Sequence, residues 1–174
     1  MPSPIINPIE HERRMAVWWR MDQIWMNPED PELIEAHRIA NEFFAPTITV
    51  EDLVERYARG ERNFIDICLP HKADLTGINL SGANLTGVKF NRSNLTGANL
   101  IGTNLSYAWI AGVNFTGANL EGANISWADA MRAIFRNASL LNAIGWFRLP
   151  CYIDCKNTIM PNGGIINDRS YGRR

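Results

Sequence analysis

The chain changes its hydrophobic rhythm part-way along. Over residues 73–142 a large apolar residue marks the centre of thirteen of fourteen consecutive five-residue units. These centres are Leu75, Leu80, Leu85, Phe90, Leu95, Leu100, Leu105, Ile110, Phe115, Leu120, Ile125, Phe135 and Leu140, and only Ala130 departs. The residue two before each centre is small or β-branched, and it is alanine in nine of the fourteen units, so each unit offers one small and one large inward position. Asn or Asp directly precedes the centre in ten units and glycine follows it by two in eight, which supplies turn-forming residues at every unit. A period of five matches neither a helix at 3.6 nor a strand at 2. Tandem self-similarity of this kind predicts a solenoid, in which each unit buries its apolar side only by stacking on its neighbours.

Residues 1–62 follow a different rhythm. Val17, Trp18, Met21, Ile24 and Trp25 recur at helical spacing. The Asn27, Pro28 and Pro31 cluster breaks that helix, and Asp30 caps a second one carrying Leu33, Ala36, Ala40, Phe43 and Phe44. A third helix is expected after Thr49, with Asp52 three residues on, and Gly60 is placed to end it. Residues 1–62 are therefore read as an α-helical segment flanking or capping the solenoid, residues 63–147 as the solenoid, and residues 148–174 as an irregular cap and tail. Trp18, Trp19 and Trp25 stand close to Met15, Met21 and Met26. They suit a small helical core, and equally a surface that grips a partner.

The repeated Ala-Asn/Asp-Leu-Ser/Thr-Gly motif resembles that of the pentapeptide repeat proteins. The resemblance covers residues 63–142, and the ending around Asn157, Pro161 and Gly163 looks like that of cyanobacterial members. It implies a mainly β fold, a right-handed quadrilateral parallel β-helix of about four coils, with four units to each coil of about twenty residues stacked at strand spacing. Phe64 and Leu69 look like early centres, and the six-residue step from Leu69 to Leu75 predicts a one-residue bulge at Pro70, His71 and Lys72. Some members of the family protect DNA gyrase by imitating DNA, which needs an acidic elongated face.

In such a coil, residues twenty apart share a side. Tyr107, Trp127 and Phe147 are twenty apart, and the first two occupy a position where glycine is usual. They predict an outward aromatic ladder, extended around a corner by Trp109. It is either covered by the chain's own segments or exposed as a partner surface together with Trp18, Trp19 and Trp25. After Ile125 the pattern weakens. Ala128, Ala133, Ala138 and Ala143 keep the five-residue beat of a β-helix, whereas Met131, Ile134, Phe135, Ala138 and Leu141 also fit a helix behind a Ser126 and Asp129 capping box. In the tail, Trp146, Phe147 and Ile153 are expected to turn inward.

Charge then narrows the function. Over the whole 174 residues the net charge is −1. Residues 1–62 carry seven basic and twelve acidic side chains, residues 73–142 four and three, and residues 143–174 five and two. The near-neutral coils argue against DNA mimicry, and direct nucleic-acid binding is not expected. Three cysteines (Cys68, Cys151, Cys155) fit reduced thiols better than disulfides, and a Cys151–Cys155 spacing without further ligands is weak for zinc. His11 and His37 lack ligand-spaced neighbours. No apolar run is long enough to span a membrane, and no nucleophile–base motif, phosphate loop or paired carboxylates appear. The expectation is a cytoplasmic, non-enzymatic protein–protein interaction or scaffold module, without catalytic, cofactor or metal residues, whose partner is a protein. A helical front segment as the specific binder, or a homodimer through that segment or a coil end, is compatible with the same pattern.

Overall fold

The geometry of one unit explains the whole. Asp74 Oδ1 accepts hydrogen bonds from the Thr76 backbone N–H (3.1 Å) and from the Thr76 hydroxyl (2.6 Å). The Ile78 N–H closes the turn on the Leu75 carbonyl at 3.1 Å, and Gly77 takes a φ of 68° between them. That left-handed conformation is free of steric penalty only for glycine. The side-chain acceptor bends the chain and the glycine completes the corner, so the Asn/Asp and Gly of the repeat act as a pair.

In the computed structural model, which describes residues 47–145, 147 and 152–167, four such corners return the chain to its own edge. Asp74 pairs with Asn94, Asn79 with Asn99, Asn84 with Asn104 and Lys89 with Trp109, all in parallel and all twenty residues apart. Twenty residues in units of five make a four-sided coil. Side one carries the rungs Asn63, Asn84, Asn104, Asn124 and Ile144; side two carries Thr47, Cys68, Lys89, Trp109 and Asp129. Side three carries Asp74, Asn94, Asn114, Ile134 and Asp154; side four carries Asn79, Asn99, Asn119, Ser139 and Ile159. The unit centres point inward, from Leu75 through Leu140, and all are buried, as is Ala130. Phe115 and Phe135 stack at 4.9 Å between centroids.

The six-residue step is a bulge. Cys68 pairs with Lys89 at a spacing of twenty-one, whereas Asp74 pairs with Asn94 at twenty. Lys72, with φ of 62°, takes the corner position one residue late.

Of the three helices expected before the coils, the first two lie outside the described residues. The third is α1 (Val50–Ala58). The Asp52 N–H donates to Thr49 Oγ1 at 3.1 Å, the cap that the sequence predicts, and Gly60 follows with φ of 94°. Leu53 is buried against the solenoid core, and the Tyr57 hydroxyl donates to the Ser81 carbonyl at 2.9 Å. Because the end of a β-helix leaves its core and strand edges uncovered, α1 and the Thr47 rung close that end.

Residues 126–142 continue the coil, not a helix: Asn114 pairs with Ile134 and Asn119 with Ser139 in the same register. The alanine beat wins because each alanine fills an inward position that the preceding coil has already shaped. The tail also departs from the irregular reading. Ile134 pairs with Asp154 and Ser139 with Ile159, so Ile153, Cys155 and Thr158 are buried twenty residues after Ala133, Phe135 and Ala138. The strand β1 (Thr158–Ile159) then pairs antiparallel with β2 (Ile165–Ile166). Hydrogen bonds from the Met160 N–H to the Gly164 carbonyl (2.7 Å) and from the Gly164 N–H to Asn162 Oδ1 (3.0 Å) close that hairpin. Ile153 lies inward as expected; Trp146 lies outside the described residues.

Candidate functional site

Three sides of the coil obey the repeat, and side two breaks it. On sides one, three and four the rung residue over the regular coils is Asn or Asp, and it accepts from the backbone N–H two residues on, as Asn94 does from Thr96 (3.2 Å) and Asn114 from Thr116 (3.1 Å). On side two the corresponding residues Cys68, Lys89 and Trp109 cannot supply that carboxamide oxygen, and the motif returns only at Asp129, which accepts from the Met131 N–H at 3.1 Å. Lys89 and Trp109 interact instead with each other, the Lys89 Nζ lying 5.0 Å from the Trp109 ring centroid. That is a cation–π contact between adjacent rungs.

The corners show the same asymmetry. Nine non-glycine residues among those described adopt positive φ: Asp66, Lys72, Arg92, Tyr107, Trp127, Arg132, Asn137, Asn142 and Asn157. Asn and Asp tolerate this region because their short polar side chains bond locally. The other five do not, and a bulky residue there is an outlier. All five flank side two. Tyr107 and Trp127 stand where side one turns into side two; Lys72, Arg92 and Arg132 stand where side two turns into side three. Corners elsewhere use glycine in the regular coils, for example Gly97 and Gly102. Gly112 separates Arg92 from Arg132 on the cationic corner, and a β-carbon there would meet Arg92 Cγ at 3.2 Å, so the Arg92 stem lies across it.

Tyr107 is 40 % exposed and Trp127 61 %, while Trp109 is half-buried. Lys72, Arg92 and Arg132 are exposed. The positive field shows at His71, whose imidazole is held below its ordinary pKa by burial first, then by the charges of Arg92 and Lys72. Burial pushes the Cys68 thiol up, with Lys89 opposing, so that side chain favours the neutral thiol.

The expected ladder is therefore two rings long. Phe147 leaves it: the ring lies 5.3 Å from Phe135, packed on the core. The chain turns at Gly145, which is exposed with φ of 86° and lies so close to Ser126 that a β-carbon there would meet Ser126 Cα at 2.7 Å. The chain leaves the register there, and Phe147 packs against the core cluster instead of continuing the outer corner. Trp18, Trp19, Trp25 and Cys151 lie outside the described residues. Cys155 is buried on side three, far in register from Cys68 on side two. Sequence reasoning counted Lys89, Arg92 and Arg132 only among the four basic residues of the near-neutral coils over 73–142. The signal for the corner alignment was present, since Lys72, Arg92 and Arg132 stand at multiples of twenty residues.

No helix among the described residues is long and apolar enough to cross a membrane.

A four-sided coil with parallel rungs and a corner every five residues defines a β-helical solenoid built to present flat sides. The chain belongs to the pentapeptide repeat family. Eight copies of the pentapeptide repeat match at residues 71–100 and 98–137. The crystal structure of alr5209, a pentapeptide repeat protein from Nostoc Pcc 7120, is 30 % identical, with 60 % of this chain and 88 % of that one covered at a TM-score of 0.55. Rfr23, a pentapeptide repeat protein from the cyanobacterium Cyanothece 51142, is 27 % identical over 66 % of this chain and 63 % of its own, with a TM-score of 0.43. QnrB1, a plasmid-mediated fluoroquinolone resistance protein, is 19 % identical over 66 % of this chain and 53 % of its own, with a TM-score of 0.24. No match was found among curated proteins. The right-handed β-helix of the family is the fold of the described coils.

Proposed function

We propose that the protein is a non-enzymatic interaction module, acting in the cytoplasm, whose β-helix holds side two rigidly towards a protein partner. One observation carries this reading: the five bulky residues forced into left-handed corners, Lys72, Arg92, Tyr107, Trp127 and Arg132, all border one side. Strain of this kind opposes folding, and the fold offers glycine at equivalent corners as the unstrained solution. Its concentration around a single side supports selection for a surface. Tyr and Arg are residues that dominate binding at interfaces.

Protection of a topoisomerase by imitation of DNA fits less well. Side two carries cations where an imitation of the phosphate backbone needs anions, and side one has no charged rung.

The test compares affinity capture from a lysate of the native host by the full chain and by a Tyr107→Gly/Trp127→Gly variant. The expected result is at least one protein retained by the first and lost by the second, with the two proteins equally folded by circular dichroism. Identical capture by both would remove side two as the binding surface.

A further inference from the structure

The charge on side two specifies what kind of partner surface fits it. Four cations border or lie on this side, Lys72, Lys89, Arg92 and Arg132, against two carboxylates, Asp66 and Asp129. Elsewhere on the described coils charge is sparse and balanced. Side three pairs Arg136 with Asp154 at 2.6 Å and adds Asp74 and Lys156; side four carries Glu121. The nearly neutral coils thus hide a positive side. Its two edges differ in chemistry: one is aromatic (Tyr107, Trp127), the other cationic (Lys72, Arg92, Arg132), and Trp109 lies between them.

We propose that side two binds an acidic polypeptide segment of the partner protein, with its carboxylates along Lys72, Arg92 and Arg132 and an apolar side chain against Trp127 and Tyr107. The inference rests on the interaction-module reading and adds the chemistry of the partner. Arginine suits it because its planar fork meets carboxylates in paired hydrogen bonds. Trp127 suits it because an exposed indole gives a large apolar contact at low entropic cost.

Nucleic acid is the other polyanion to consider. The column from Lys72 to Arg132 spans three coil steps, roughly 14 Å at the spacing of stacked strands, enough for only a few phosphates. Asp129 lies on the side itself and Asp66 on its other edge, where a polyanion laid across the side would meet repulsion. A peptide, whose charges are discrete, can place uncharged residues opposite them.

The experiment uses the full chain and a random peptide display library, with a Lys72→Gly/Arg132→Gly variant as control. Both substitutions install the residue that the repeat itself uses at left-handed corners, so folding is expected to be retained, and thermal unfolding checks this. Peptides retained by the wild-type chain are expected to be enriched in Asp and Glu, with at least one Leu, Ile, Phe or Trp. Their affinity should fall by about tenfold in the variant and weaken when salt is raised from about 0.05 to about 0.3 M. They should also be displaced less readily by an oligothymidylate than by free acidic peptide. Absence of acidic enrichment, enrichment of basic peptides, or unchanged affinity in the variant overturns the proposal. So does binding of the oligothymidylate as tight as that of the best peptide, or competition by a second copy of the chain at the same site. If these results come while Trp127-dependent capture persists, the partner chemistry is wrong and the interaction module stands. If that capture is also absent, both fall.

Discussion

Trp127 concentrates the residue-scale question. Its ring is largely exposed, and its backbone has a φ of 61°. The left-handed conformation costs a non-glycine residue about 1–2 kcal/mol, and glycine recovers this at an entropic cost of about 0.5–1 kcal/mol. Trp127→Gly is therefore expected to leave stability unchanged or raise it by up to about 1 kcal/mol, read as the midpoint of urea unfolding. A loss above about 1 kcal/mol would show that the indole supports the fold rather than a partner. The same substitution removes the ring from the proposed surface, so stability and binding move in opposite directions. Nothing in the five-residue period marked this strain in advance. The sequence shows Trp where Gly is usual, and only the backbone shows that the corner keeps its glycine conformation around the larger residue.

At the scale of the element, the turn and the capping helix each have a separable energy. Asn114 Oδ1 accepts from both the backbone N–H (3.1 Å) and the hydroxyl (2.6 Å) of Thr116, and Asn114 Nδ2 donates to Thr96 Oγ1 at 3.0 Å on the coil before. It thus ties one corner to the next. Asn114→Ala is expected to cost about 1–2 kcal/mol in urea unfolding, because two half-buried partners lose their bonds. In α1, Arg56 donates to Glu61 through Nε (2.9 Å) and Nη2 (2.6 Å). That hydrogen bond, opposed by desolvation and aided by the charges of Arg56 and Arg59, holds the Glu61 carboxyl below its ordinary range. A depressed carboxyl pKa stabilises the fold in full above the unfolded value and loses this as pH falls through the folded one. Glu61→Gln should therefore lower Tm at neutral pH, and the gap between variant and wild type should close in acid. A gap independent of pH would rule out the ion pair as its cause. Thr49 and Gly60 made α1 legible in the sequence, because caps are local. The Arg56–Glu61 pair was not legible, because the two residues meet only after the helix has ended.

At the scale of the whole unit, stability passes from coil to coil through nearest neighbours, and the ends are where it is most easily lost. Leu53 of α1 is fully buried on the leading end. Leu53→Ala is expected to destabilise by about 2–5 kcal/mol, through lost burial and the cavity left behind. Hydrogen exchange should show the protection loss concentrated in the coils nearest residues 64–85, with those around residues 115–140 least affected. Uniform loss along the chain would instead indicate a single cooperative unit.

The coil, its period, its inward residues and its corners were determined by the sequence alone, because each depends on contacts repeated fourteen times and on residues close in the chain. The bulge followed from one six-residue step. Tertiary structure decided what the period does not carry. It turned Phe147 onto Phe135, after a left-handed turn at Gly145 close against Ser126, and it continued the coil through Ile153 and Cys155, where the motif had faded. It also set Lys72, Arg92 and Arg132 along the corner across side two from Tyr107 and Trp127, whose shared corner the twenty-residue spacing had already predicted. Those residues are far apart in sequence and hold no local pattern together. They meet because parallel pairing stacks every coil on the last, so the character of side two is a property of the register and not of any single repeat.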